Sequence, residues 1–199
     1  TMVEYEDREG SGSLYRAVDE GDTWEEIEAN LGDINLRGGE FGIDSDNTVA
    51  NTDEGEILTL GIKVDYDFDN FTLTSNTGYK DHDYFYTEDY DGTPLDISNY
   101  QQDQTGDYFQ QELRLTSSTE GPLSWYAGAS YYKEEIDTEF TNSGSEDLLC
   151  QFYGNQNYPG NDFSGCVDYY TYNSSSFSPS ANGRLVEPGR VEGEYSGWA

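Results

Sequence analysis

The strongest constraint on this chain is an alternation. From Ile57 to Phe68, the residues Leu58, Leu60, Ile62, Val64, Tyr66 and Phe68 occupy every second position, with Thr59, Gly61, Lys63 and Asp65 between them. Strict period two is the mark of a strand with one apolar and one wet face. A tight polar turn at 67–70 leads to a second strand, with Phe71, Leu73, Thr77 and Tyr79 on alternate positions. The pattern returns in Phe109, Gln111, Leu113 and Leu115, which alternate with Gln110, Glu112 and Arg114. After a turn at 117–122 it continues through Leu123, Trp125, Ala127, Ala129 and Tyr131.

Loop lengths sort as regularly as side chains. The turns after Asp67 and after Thr116 are short, whereas the connections at 87–106 and from 136 onward are long. Short turns at one end and long loops at the other are typical of a transmembrane β-barrel. The expected fold is therefore all-β: an antiparallel meander of hairpins that forms part of such a barrel. Its organisation is a strand at 1–9, a long loop at 10–56, a hairpin at 57–86, a loop at 87–106, a hairpin at 107–135 and a long disulfide-bearing loop at 136–199. Within the first loop, Thr23–Leu31 predicts a short helix, with Thr23 as cap, Glu26 at the capping-box position and Trp24, Ile27 and Leu31 on one face.

Composition agrees with a thin apolar surface. The hydrophobic fraction is 34%, with sparse Leu, Ile and Val beside 18 tyrosines. A deep conventional core would need more aliphatics. A barrel wall, apolar only on its outside band, would not. No run approaches the ~20 apolar residues of a transmembrane helix. Thr1 opens inside strand-like sequence, with neither an initiator Met nor a signal segment, so the chain reads as cut from something longer or as processed.

The formal net charge is −32, from 41 acidic and nine basic residues. Nucleic acid is not an expected partner, because phosphate binding needs Lys and Arg. Direct adsorption to anionic lipid is disfavoured for the same reason. Among the acids, Asp44 and Asp46, with Asn47, could offer oxygens to calcium, although no Gly stands at the sixth position of an EF-hand loop; Asp89 and Asp91, followed by Gly92, make a second incomplete pair. A solvated acidic loop surface explains both pairs as well. No other cofactor is indicated.

Cys150 and Cys166 are the only cysteines, and in a non-cytoplasmic β protein they are expected to form one disulfide. His82 is the only histidine, which leaves no triad, and no phosphate-cradling glycine motif is present; the chain is not expected to be an enzyme. Glu112 and Arg114 fall on the polar side of their strand, as a lumen-facing charge pair would. Trp125, Tyr126, Tyr131 and Tyr132 fit either an aromatic girdle or ordinary cross-strand packing.

Two stretches carry a resemblance. Leu73-Thr-Ser-Asn-Thr-Gly-Tyr79 followed by the aspartate-rich Asp89-Tyr-Asp-Gly-Thr-Pro94, and Phe109-Gln-Gln-Glu-Leu-Arg-Leu-Thr-Ser117 followed by Leu123-Ser-Trp-Tyr-Ala-Gly-Ala-Ser-Tyr-Tyr132, resemble consecutive barrel hairpins of TonB-dependent outer-membrane receptors. The match covers about a third of the chain. It implies a bacterial outer-membrane location with loops exposed at the cell surface, and uptake of iron chelates or other scarce nutrients. The implied partners are outer-membrane lipid, the small nutrient or metal chelate, and an inner-membrane energy-coupling protein. The family's plug domain and energy-coupling box are not visible here, and these few strands do not close its barrel.

Two other readings compete. Unpaired strand edges would recruit other chains, making a β-rich subunit of an extracellular assembly or filament, a homopolymer if the chain stands alone. The acid excess would also suit a calcium-binding or adhesive β-domain.

Overall fold

The computed structural model describes residues 1–12, 15, 22–32, 51–118, 122–174, 179–180 and 182–199. Six strands form one antiparallel sheet in chain order: β1 (Met2–Gly10), β2 (Thr52–Asp67), β3 (Phe71–Asp89), β4 (Asn99–Ser117), β5 (Tyr126–Ser145) and β6 (Arg184–Trp198). Each strand pairs with its sequence neighbour in unbroken register, from Met2 opposite Gly61 to Tyr131 opposite Trp198. The all-β meander expected from the alternation is the observed fold.

The strands are long. β2 to β5 run 16 to 20 residues, roughly 53–66 Å at ~3.3 Å per residue, whereas ordinary strands have about 3–10 residues. Both hairpins therefore extend beyond their expected limits. The 57–86 hairpin grows to 52–89, and the 87–106 loop shrinks to 90–98. The expected loop over 136–199 is overturned most: it holds the end of β5, helix α2 (Glu146–Asn157), helix α3 (Cys166–Tyr172) and the whole of β6. Backbone pairing depends on register rather than on apolar side chains, so the ladder continues where the aliphatic signal stops.

The connections sort by end. At one end, residues 68–70 close β2 onto β3, with Phe68 N–H donating to Phe71 O at 2.8 Å, and residues 118–125 join β4 to β5. Thr72 and Thr74 brace this turn end by donating Oγ1 to Asp67 and Asp65, both at 2.7 Å. At the opposite end lie the three long connections: 11–51, with α1 (Asp22–Leu31), then 90–98, then 146–183. The short helix expected at 23–31 is α1, and its Trp24 is buried. The capping role expected of the Thr23 side chain lies outside the described residues.

Among the described residues, the buried apolar side chains are Trp24, Cys150, Phe163 and Cys166, all at the loop end. There they build a small head. α1 lies against α2, where Asn155 Nδ2 donates to Asn30 O at 2.7 Å. Cys150 and Cys166 form the expected disulfide, tying α2 to α3. Phe163 and Tyr158, Tyr169 and Tyr172 pack ring against ring with centroids 5.0–6.3 Å apart. Gly154 permits this packing, since a Cβ there would stand 2.7 Å from the Phe163 ring. Ser145 caps α2, its Oγ accepting Leu148 N–H at 3.2 Å, and Glu146 and Asp147 occupy the first turn, where the helix dipole favours acids.

The head is bolted to the sheet. Arg184 holds Asp96 through Nη1 and Nη2 and donates to Ser143 Oγ at 3.2 Å, while Ser145 N–H donates to Asp96 O at 2.7 Å. One arginine of β6 thus joins the 90–98 connection to the end of β5.

Candidate functional site

The sheet has two unlike faces. Directly paired residues share a face in an antiparallel sheet, so the register sorts every strand residue.

One face, the aliphatic face, carries Leu58, Leu60, Ile62, Val64 and Tyr66 of β2. Beside them stand Val3 and Tyr5 of β1, Phe71, Leu73 and Tyr79 of β3, Phe109, Leu113 and Leu115 of β4, and Ala127, Ala129 and Tyr131 of β5. Nothing among the described residues covers them. Ile62, Val64 and Tyr66 are 49%, 54% and 59% exposed. From Phe71 to Tyr79 the apolar zone is about 26 Å deep along the strand at ~3.3 Å per residue. Polar residues do interrupt it at Ser75, Thr77 and Gln111. These satisfy one another, with Thr77 Oγ1 donating to Gln111 Oε1 at 2.7 Å and Gln111 Nε2 to Ser75 Oγ at 3.0 Å.

Aromatic rings border this zone on both sides. Toward the loop end, Phe109, Tyr131 and Trp198 run across β4, β5 and β6, with centroids 6.3 and 4.6 Å apart, and Tyr79 pairs with Phe109. Toward the turns, Phe68 sits 4.7 Å from Tyr66 and 4.5 Å from Phe71. Beyond the loop-side row the same face becomes acidic. Glu56, Asp83, Thr105, Asp137 and Glu192 form one row across five strands. Its neighbour holds Asp81, Asp107, Glu135 and Glu194. Arg190 stands in this belt against Asp137 at 3.0 Å through Nε and Glu192 at 2.7 Å.

The opposite face is marked by glycine. Every glycine within the six strands lies on it: Gly10, Gly55, Gly61, Gly78, Gly106, Gly128, Gly144, Gly189, Gly193 and Gly197. A strand pays in stability for interior glycine unless something needs the room. Here rings use it. His82 lies over Gly106 and Phe140 over Gly189, each so close that a Cβ would stand within 2.4 Å of the ring. Toward the turns this face is polar. Asn76 Nδ2 donates to Glu112 Oε2 at 3.3 Å, and Lys63 pairs with Asp65 at 3.0 Å. Toward the loop end it becomes aromatic and amidic, with Tyr84, Tyr86, Tyr100, Tyr108, Gln102 and Gln104. Tyr100 Oη donates to Gln102 Oε1 at 2.8 Å, Gln102 Nε2 donates to Gln104 Oε1 at 3.0 Å, and Gln104 Nε2 meets His82 Nε2 at 2.9 Å.

The apolar phase of the strands therefore flips midway. Near the turns apolar side chains populate the aliphatic face; near the loops they move to the glycine face.

The candidates read from the sequence fall into this frame. Glu112 and Arg114 share the glycine face, and Glu112 accepts a hydrogen bond from Asn76 on the neighbouring β3. The four aromatics Trp125, Tyr126, Tyr131 and Tyr132 do not form one band. Trp125 and Tyr126 lie at the turn end, Tyr131 belongs to the loop-side aromatic row, and Tyr132 points to the glycine face and donates to Glu134. Sequence reading missed Tyr79, Phe109 and Trp198 as border residues, although Tyr79 and Phe109 stand at the ends of aliphatic runs. Asp44 and Asp46 lie outside the described residues. Asp89 and Asp91 spend their oxygens on the loop itself: Asp89 Oδ1 accepts the N–H groups of Asp91 and Gly92 at 3.2 Å, and Asp91 accepts those of Thr93 at 3.0 Å and Ser98 at 2.9 Å. Among the described residues, no group of three or more His, Cys, Asp or Glu is placed to hold a metal.

Comparison with protein-family models, with curated proteins and with solved structures finds no match to this chain.

Proposed function

We propose that the chain is a stretch of barrel wall from a bacterial outer-membrane receptor of the TonB-dependent kind, taking up a small nutrient or metal chelate with energy drawn from the inner membrane. The observation that carries the membrane reading is the uncovered aliphatic zone, bordered by aromatic rings on both sides and followed by an acidic belt. Its nine residues from Phe71 to Tyr79 fall within the about 9–11 residues with which a tilted strand crosses a bilayer. The remaining strand length stands in water, where outward acids are at no disadvantage. Glycine confined to one face supports curling toward that face, since side chains crowd on the concave side of a bending sheet. The receptor part of the reading rests on the two hairpins that resemble that family.

The native tryptophans test the membrane part. In bilayers of lipids brominated at graded depths, single-Trp variants keeping Trp198 or Trp125 are quenched, most strongly by bromines near the headgroups, and one keeping Trp24 is not. Equal quenching of all three, or of none, contradicts the reading. The uptake part is tested by nutrient accumulation in cells carrying the receptor, which stops when the inner membrane is de-energised.

One observation favours a second reading. β1 and β6 each pair on one side only in the described sheet, and open edges recruit strands. A subunit joined edge to edge into an extracellular assembly would meet that need with copies of itself. Particles of regular high order in detergent-free buffer would support it; a membrane-bound species with quenched Trp198 would rule it out.

A further inference from the structure

We propose that the loop-end half of the glycine face holds a subsite for a neutral, polyhydroxylated ligand, of which one sugar ring fits at a time. The proposal rests on the reading of this face as the interior of an uptake barrel.

The site is a cleft of 250 Å³ across β1 to β4. Three cross-strand rows build it. Arg8, Gly55, Tyr84 and Gln104 are paired neighbours in one row; Glu6, Ile57, His82 and Gly106 make the next; Lys80 pairs with Tyr108 in the third. Gly55 brings no side chain to the floor, and the His82 ring, seated over Gly106, forms part of the wall. Flat surfaces line it: the His82 ring lies 5.5 Å from that of Tyr108 at 24°. Tyrosine offers an apolar face with a polar tip, the combination that meets a sugar's C–H face and its hydroxyls together.

The charges argue for neutrality by elimination. Arg8 is already held by Asp53 at 2.9 Å and lies 5.5 Å over the Tyr84 ring. Lys80 lies 5.6 Å over the Tyr108 ring. An anion would meet Glu6 in the cleft and the field of a chain of net charge −32, and that field slows and weakens anion approach. A cation would meet the Lys80 ammonium. A neutral polyol meets neither penalty, and the phenols of Tyr84 and Tyr108 and the Lys80 ammonium offer it both donors and acceptors.

Calorimetric titration of the protein in detergent micelles tests this. The probes are maltohexaose, cellohexaose and xylohexaose, with citrate as the anionic and spermidine as the cationic comparison. At least one hexasaccharide is expected to bind while citrate and spermidine do not. Tyr84→Ala and Tyr108→Ala should each weaken that binding about tenfold, as loss of a central aromatic contact does. Tyr108→Phe, which keeps the ring, should weaken it less. Phe85→Ala, one residue along β3 but on the other face, should leave it unchanged. Failure of all three sugars to bind, binding of citrate or spermidine instead, or equal loss in Phe85→Ala overturns the proposal. Trp198 quenching, measured on the same purified protein moved into bilayers of brominated lipid, separates the two failures. Quenched Trp198 without sugar binding removes the ligand class alone; unquenched Trp198 removes the barrel.

Discussion

The two halves of the sheet share strands, register and twofold alternation, yet they solve different problems. In the turn-end half the aliphatic face is bare and the opposite face is polar, knit by pairs such as Asn76 with Glu112. In the loop-end half the aliphatic face turns acidic, and rings collect on the glycine face. A single sheet in water would keep its apolar side chains on one face throughout, packed against a second layer. A wall that passes from lipid into water has reason to switch: outward side chains meet hydrocarbon first and solvent later. In the membrane reading proposed above, the phase flip marks where the strands leave the bilayer.

Charge placement breaks or sharpens this contrast most strongly. Leu113→Arg sits mid-zone on the aliphatic face, opposite Ser75 and Ala129, and should cost about 2–4 kcal/mol in a bilayer. Thr105→Arg lies on the same face of the same strand but in the acidic rows, and should change stability by less than about 0.5 kcal/mol. Denaturant titration in lipid vesicles compares the two. Similar costs would mean that the halves face the same medium.

Reducing the Cys150–Cys166 disulfide should remove about 3 kcal/mol by the chain-entropy argument. The loss should fall on the loop end alone: hydrogen exchange rises in α2 and α3 and stays unchanged at the 68–70 turn. Ser145→Ala removes the cap of α2 and should cost that helix about 1 kcal/mol, read from the same exchange data.

The smallest effect is a pH dependence confined to the head. The Asp168 carboxylate accepts from the hydroxyl and from the N–H of Ser164, and these bonds hold its pKa below the usual carboxylate value. A lowered folded pKa means that the carboxylate contributes stability above its unfolded value and loses that contribution as pH falls through its folded one. Asp168→Asn should flatten the acid side of the head's stability profile, followed by exchange in α3, with no change in the sheet.

How much was legible follows from the same flip. The stripes from Leu58 to Phe68 and from Phe109 to Leu115 announce strands because their apolar phase is constant. Past Tyr79 the phase reverses, so the strand reading stops at Tyr86 and Tyr100 falls in the expected 87–106 loop, although β3 runs on to Asp89 and β4 begins at Asn99. β6 was hidden by its own composition. Pro188-Gly189 looks like a turn, yet Pro188 pairs opposite Thr141 in a strand with a free edge, where proline is tolerated. Gly189, Gly193 and Gly197 recur every fourth residue, an even spacing that keeps them on one face and is a strand signal in hindsight. The disulfide was legible from cysteine count alone. The head's aromatic packing was not, because it depends on contacts such as Phe163 with Gly154 that no period encodes.

Nitroxide labels placed one at a time along β2, at Ile57, Leu58, Thr59, Leu60, Gly61, Ile62, Lys63 and Val64 in bilayers, test the central claim most directly. Collision rates with lipid-soluble oxygen should rise and fall with period two, high at Leu58, Leu60, Ile62 and Val64 and low between them. The same scan over Asp53, Glu54, Gly55 and Glu56 should find a water-soluble nickel chelate the better quencher at Glu54 and Glu56. Oxygen contact without alternation, or aliphatic positions shielded from oxygen and nickel alike, would mean that the stripe packs against protein and that hydrocarbon is not its partner.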